Sequence, residues 1–185
     1  YVRASEKRFY QKVRDLLSLS SDYDKTDKAT QMFFAETQDK LLYAVTHKTA
    51  AELIVSRANK DKPNMALTSW QGSIVRKQDI FIAKNYLTES EIDSLNRLVV
   101  IFLETAELRV KNRQDITLNF WQENVDRMLE FNDQKILTTK GEISKAQMQQ
   151  QVSDTYALFN QKRKTDGAQA IDLKELEAIK KVIEK

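Results

Sequence analysis

The only histidine, His47, is the side chain in this sequence best suited to proton transfer. It stands two residues before Thr49, a predicted helix start, where an imidazole could act as a general acid or base or contact a phosphate. The other interpretation is an ordinary loop histidine. A single histidine with no partner specifies little chemistry, so we favour that second interpretation.

Several enzyme classes lack their required residues. The chain has no cysteine, which excludes thiolate nucleophiles and disulfides, and one histidine cannot supply a two-histidine metal motif. There is no glycine-rich phosphate loop. A Fic-type transferase motif would continue from histidine to a Gly-Asn-Arg turn, whereas Lys-Thr-Ala-Ala-Glu follows His47. We expect no metal and no cofactor, and we lean against an enzyme.

The composition favours a helical protein. Of 185 residues, 41% are hydrophobic and 31% charged, with only 3 Gly and 1 Pro, too few turn residues for many short strands. We therefore expect one all-α domain over residues 1–185. No apolar run is long enough to cross a membrane, so we expect no membrane contact. The absence of cysteine fits a reducing compartment, so we expect a cytoplasmic protein. Because residue 1 is Tyr1, we also expect it to be a fragment of a longer chain.

Helix starts are marked by capping boxes, in which a side chain and a main-chain amide three residues apart cap each other. Thr88 to Glu91 predicts a helix to about residue 111, and Thr117 predicts another. Further boxes start at Thr49, Ser144 and Asp172. Apolar spacing adds helices marked by Val2, Phe9, Val13 and Leu16, by Met32, Phe33, Leu41, Leu42 and Val45, and by Ile80, Ile82 and Tyr86. The pattern predicts a bundle of about seven to nine helices.

The segment from Lys60 to Ser73 differs from the rest. It contains the only proline, Pro63, which disfavours helical angles at the preceding residue, and Gly72, which permits a bend. Met65 and Trp70 indicate a loop that is docked on the bundle. Long loops in compact domains often carry function.

Several blocks of residues resemble the bacterial virulence protein RhuM family. They include Lys48-Thr49-Ala50-Ala51-Glu52-Leu53-Ile54, Lys62-Pro63-Asn64-Met65 and Leu67-Thr68-Ser69-Trp70, with further likeness at 3–13, 43–45, 57–58 and 82–87. The resemblance implies no established activity, but it does imply a preceding winged-helix-like DNA-binding region. Two positions depart from it, since Ala66 stands where glycine is expected and His47 where other residues are common.

The resemblance concentrates polar side chains around the loop, and these form our candidate site: His47, Glu52, Arg57, Asn64, Trp70, Lys84 and Asn85. One interpretation is a polar pocket of a Fic-like or other nucleotide-binding enzyme. The other is local packing and capping, with Trp70 and Met65 as a lid on the core. We favour packing.

Three basic clusters stand near predicted helix ends: Arg76-Lys77, Arg109 with Lys111 and Arg113, and Lys162-Arg163-Lys164. Cations at helix C-termini complement the helix dipole without any ligand. Direct DNA binding remains an alternative if folding brings the clusters together. The net charge of +3 supports it only weakly.

The sequence therefore predicts a non-catalytic regulatory or protein-interaction domain of a DNA-binding parent. It would act through a protein partner or self-association, and nucleic acid would be bound mainly by the region before it. The apolar stripe of the last predicted helix could pair with a second copy, and packing on its own domain explains the stripe equally well.

Overall fold

The computed structural model describes residues 11–12, 14–15, 18–23, 28–112 and 116–183. It contains five α-helices with defined bounds: α1 (Lys28–Thr46), α2 (Ala50–Arg57), α3 (Glu89–Lys111), α4 (Leu118–Phe131) and α5 (Lys145–Ile183). Short 3-10 turns lie at Pro63–Ala66, Asp79–Phe81 and Ala83–Tyr86. Among these residues there is no β-strand, which confirms the all-α class.

The capping signals locate four helix starts correctly, and α2 begins at Ala50, directly after Thr49. The Thr88 hydroxyl accepts the amide of Glu91, whose carboxylate accepts the amide of Thr88, and α3 follows. Ser144 and Gln147 form the same reciprocal pair before α5. Thr117 accepts the amide of Phe120 at the start of α4. Such caps depend on residues three apart, so they can be predicted from sequence.

The predicted number of seven to nine helices is wrong for the described residues. Asp172 does not start a new helix, because it lies inside α5, which is 39 residues long. The main-chain amides around it are already paired within that helix. The residues around Ile80 and Tyr86 form 3-10 turns rather than an α-helix. The helix marked by Val2, Phe9, Val13 and Leu16 has all four of these residues outside the described ranges.

The chain divides into two compact units, and the prediction of a single domain over 1–185 remains a prediction. The first unit contains α1, α3 and α4, packed around Trp121, which is 0% exposed. The Trp121 indole donates to the hydroxyl of Ser20 at 3.0 Å, and its ring lies against Phe102. Lys40 of α1 and Asp126 of α4 form an ion pair at 2.7 Å.

The second unit contains α2, the segment from 58 to 87 and α5. The apolar side chains of the segment are buried with those of α2 and the first half of α5. The buried side chains are Leu53 and Ile54 of α2, Met65, Leu67, Val75, Ile80, Tyr86 and Leu87 of the segment, and Met148, Val152 and Phe159 of α5. Burial of Met65 and Leu67 fits the docked loop expected from the sequence. This unit positions most of the candidate residues.

Candidate functional site

His47 directly follows the last residue of α1 and lies in the first unit, whereas the other six candidate residues lie in the second. Its main chain is in the left-handed region, at φ 57°, and its amide donates to the carbonyl of Tyr43 at 2.7 Å. A left-handed residue at this position is a common way to terminate a helix. The side chain is exposed. The local geometry therefore gives His47 a helix-terminating role.

Arg57 stands at the end of α2 and reaches the far end of the irregular segment. Its Nη1 donates to the main-chain carbonyl of Tyr86 at 2.6 Å. The Tyr86 hydroxyl in turn donates to the carbonyl of Ile80 at 3.0 Å, and burial raises the pKa of this phenol. Glu52, in the first turn of α2, is half-buried. Arg57 thus ties α2 to the segment.

Asn85 is buried and fastens the same segment from within. Its amide nitrogen donates to the carbonyl of Asp79 at 2.9 Å, and its amide oxygen accepts the hydroxyl of Ser69 at 3.2 Å. The Asn85 carbonyl accepts both the amide and the hydroxyl of Thr68. These bonds use both ends of the Asn85 side chain for local structure.

The carboxylate of Asp79 was missed by the sequence reasoning, although it is only 1% exposed. It accepts the main-chain amide of Arg76 at 2.9 Å and, more weakly, that of Gln71 at 3.4 Å. A buried carboxylate requires such donors. No periodic pattern in the sequence marks it, because its partners are main-chain groups of an irregular turn.

Three consecutive residues after Pro63 have left-handed main-chain angles: Asn64 at φ 53°, Met65 at φ 58° and Ala66 at φ 64°. Non-glycine residues rarely adopt this region. The turn buries Met65 completely, at 0% exposure, and leaves Asn64 exposed. The left-handed angle of Ala66 is one that glycine adopts without strain, which agrees with the glycine that the resemblance led us to expect there.

The remaining two candidates, Trp70 and Lys84, are half-buried. Two candidates of the second unit make hydrogen bonds to the main chain of residues 79–87. Arg57 bonds to the carbonyl of Tyr86 and Asn85 to the carbonyl of Asp79. Within the described part of the chain, no group of three or more His, Asp or Glu side chains could hold a metal ion. No described helix is long and apolar enough to cross a membrane.

Two of the three predicted basic clusters lie side by side in the second unit. Arg163 donates from Nη1 to the carbonyl of Val75 at 3.2 Å, next to Arg76, and from Nη2 to the side chain of Asn160. Its guanidinium also lies over the ring of Phe159, 5.6 Å from the centroid. Arg163 therefore joins α5 to the start of the Arg76-Lys77 cluster.

Lysines from the loop join these clusters, which the sequence reasoning also missed. Lys162 lies 3.5 Å from a carboxylate oxygen of Asp61, which Lys60 contacts at 2.8 Å. The hydrogen bond from Lys60, with the positive charges of Lys60 and Lys162, holds the pKa of Asp61 below its usual value. We name the exposed cations of these three segments the basic surface: Lys60, Lys62, Arg76, Lys77, Lys162 and Lys164.

The other predicted basic cluster belongs to the first unit. Arg109 lies over the ring of Phe120, 4.9 Å from its centroid, and Lys111 is exposed at the end of α3. Arg113 lies outside the described residues.

The family comparison bears out the resemblance. A family model with the description Virulence protein RhuM family matches residues 1–167. Comparisons with curated proteins and with solved structures gave no match.

Proposed function

Because the chain belongs to the virulence protein RhuM family, we propose that it is a non-catalytic interaction domain that pairs with a second copy through α5. The observation that carries the proposal is the exposure of the second half of that helix. Every residue from 164 to 177 is exposed. Ile171, Leu173 and Leu176 are 60%, 61% and 56% exposed.

A helix that stands free of its own domain is marginal in water. Most of the stability of helices in proteins comes from packing of an apolar face rather than from intrinsic helix propensity. Residues 164–177 of α5 have no such packing among the described residues, yet they include apolar side chains. A partner that covers this half would stabilise it.

The sequence of this half favours another copy of the chain as the partner. Leu176, Ile179 and Ile183 follow the three-and-four spacing of a coiled-coil seam. Glu175 precedes the first seam position and Lys180 follows the second. In a parallel pair, Glu175 of one helix faces Lys180 of the other, and their opposite charges attract. The register therefore favours a parallel homodimer.

The predicted polar pocket receives less support. Arg57 and Asn85 bond to main-chain groups of the 79–87 stretch, and His47 lies in the other unit. A regulatory role follows more simply from pairing, because two chains joined at α5 would bring together two copies of any region that precedes this one.

Light scattering coupled to gel filtration tests the pairing. We expect the wild-type chain to run as a dimer and Leu176→Glu as a monomer, because a charge on the seam removes apolar burial. Ile171→Glu is the matched control, since Ile171 is on the same helix and 60% exposed but falls outside the three-and-four register of the seam. The control should remain a dimer. A monomeric wild type, or a Leu176→Glu chain that still dimerises, rejects the proposal.

Orientation can be tested by cross-linking, because the chain has no native cysteine. Gln169→Cys and Leu176→Cys introduce single thiols one heptad apart. In a parallel pair, each single variant should form a disulfide dimer, whereas an antiparallel pair can align at most one of the two positions. Cross-linking of only one variant would contradict the parallel arrangement.

A further inference from the structure

The second unit gathers cations from three segments that are far apart in the sequence. Contacts fix their adjacency: Lys162 with Asp61 at 3.5 Å, and Arg163 with the carbonyl of Val75 at 3.2 Å across 88 positions. These contacts place residues 60–62 and 75–77 beside the same turn of α5. The basic surface is thus a product of the fold and not of any one segment.

The charge of this surface is unbalanced. Residues 60–62, 76–77 and 162–164 contain seven Lys and Arg and one acid, Asp61, which leaves six positive charges. The carboxylate of nearby Asp79 is buried and bonded to main-chain amides. Lys62, Arg76, Lys77 and Lys164 form no side-chain ion pair with any described residue. The cluster holds much more charge than the chain's net +3 suggests.

From this arrangement we infer that the basic surface binds the phosphate backbone of a nucleic acid duplex. A duplex carries about one negative charge per 1.7 Å of its axis, so a compact group of cations can neutralise several phosphates at once. Arg163 acts as a positioning residue, because its guanidinium is already used by Val75 and Asn160. The long, exposed lysine side chains are the groups that reach phosphate.

A duplex fits this surface better than a membrane does. Membrane-surface binding combines basic residues with a broad apolar face on one helix. Beside the segments that form the basic surface, the exposed large apolar residues are Ile74 at 49% and Leu158 at 51% exposure, which do not make a broad apolar face. The exposed Ile171, Leu173 and Leu176 lie about two helical turns or more beyond Lys164. Phosphate contacts alone carry no base readout, so we expect binding with little sequence preference.

Fluorescence anisotropy with a labelled duplex of mixed sequence tests the inference. We expect the wild-type chain to bind at low salt and to lose affinity steeply as salt rises. The triple variant Lys62→Glu, Lys77→Glu, Lys164→Glu should bind about tenfold more weakly or worse. Its log–log salt slope should become shallower by about 3, because each lost phosphate contact removes about 0.9.

A second triple variant separates local charge from net charge. Lys48, Lys135 and Lys140 are exposed lysines of the first unit, and changing them to Glu alters the total charge equally. This control should bind like the wild type. Equal losses in the two triple variants would mean that only net charge matters, and would overturn the inference.

Two further outcomes would also overturn it. One is no duplex binding by the wild type at low salt. The other is binding to vesicles that contain anionic lipid, without binding to duplex. The Leu176→Glu chain keeps the basic surface intact, so measuring it as well separates a failure of pairing from a failure of nucleic acid binding.

Discussion

The guanidinium of Arg57 donates a 2.6 Å hydrogen bond to the main-chain carbonyl of Tyr86, 29 positions further along the chain. The bond links the last turn of α2 to the end of the irregular segment. Between these two residues, the segment has no α-helix to organise it. The contact therefore helps to define how the segment folds back on α2.

Replacing Arg57 by Ala should lower the free energy of unfolding by about 1.5 to 3 kcal/mol, the usual range for a hydrogen bond that involves a charged group. Urea unfolding measures the change. Arg97→Ala is the control, because Arg97 is exposed and pairs with Asp93 one helical turn away on the same helix. That pair should contribute much less to stability, because both side chains are exposed and water screens their charges. Equal losses in the two variants would contradict a specific role for Arg57.

Tyr86 should make stability fall at high pH. Burial raises the pKa of its phenol, so the folded state holds the proton more tightly than the unfolded state, whose pKa is about 10. Stability from this group is complete below about pH 10 and decreases as the pH rises through the folded-state pKa, by about 1.4 kcal/mol per unit.

Tyr86→Phe provides the comparison for that titration. At neutral pH it should lose about 1 to 3 kcal/mol, because the buried carbonyl of Ile80 loses its donor. Above pH 10, the stability difference between wild type and variant should shrink. Urea unfolding from pH 8 to pH 11 measures it, and parallel curves would show that Tyr86 is not the titrating group.

Ala66→Gly should stabilise the protein by about 0.5 to 1 kcal/mol. Glycine removes the strain of the left-handed angle at φ 64°, which exceeds the extra chain entropy that it brings. Ala157→Gly is the matched control in an exposed part of α5, where the change should cost about 1 kcal/mol. Thermal and urea unfolding measure whether each change raises or lowers the free energy of unfolding. Destabilisation by both changes would rule out strain at Ala66.

Glycine-to-alanine changes at Gly167 and Gly72 should have opposite effects, although a new Cβ would meet no atom within 4 Å at either position. Gly167 lies inside α5, so alanine should favour the helix by about 0.5 to 1 kcal/mol. Gly72 has φ 85°, where alanine is strained and should destabilise the protein. Far-UV circular dichroism and urea unfolding provide the measurements. Unchanged helicity in Gly167→Ala would show that this part of α5 does not depend on local propensity.

Local signals in the sequence predicted local structure well where the two partners of an interaction are neighbours. Thr88 and Glu91 cap each other across three residues, and α3 begins after them as expected. The same kind of signal at Asp172 was misleading. A cap contributes only about 1 kcal/mol, and a helix that already continues through the position has no free amides for it to satisfy.

The irregular segment could not be predicted beyond its existence. Ile82 and Tyr86 are four residues apart, as on one face of a helix, but Asp79 and Asn85 bond to main-chain groups and hold the chain in 3-10 turns. Whether these residues form an α-helix or such hydrogen bonds depends on whether the Asp79 and Asn85 side chains are buried. The spacing of apolar residues does not reveal that. The left-handed turn after Pro63 could not be predicted either, because it depends on the burial of Met65.

By itself, the sequence determined the all-α class, the starts of α2, α3, α4 and α5, and the family, because composition, capping pairs and short motifs involve residues close together in the chain. Only the tertiary structure decided that Arg163 lies beside Val75 and Lys162 beside Asp61. These segments come together because apolar side chains near each of them are buried in the same core. That long-range packing turns separate basic segments into one surface.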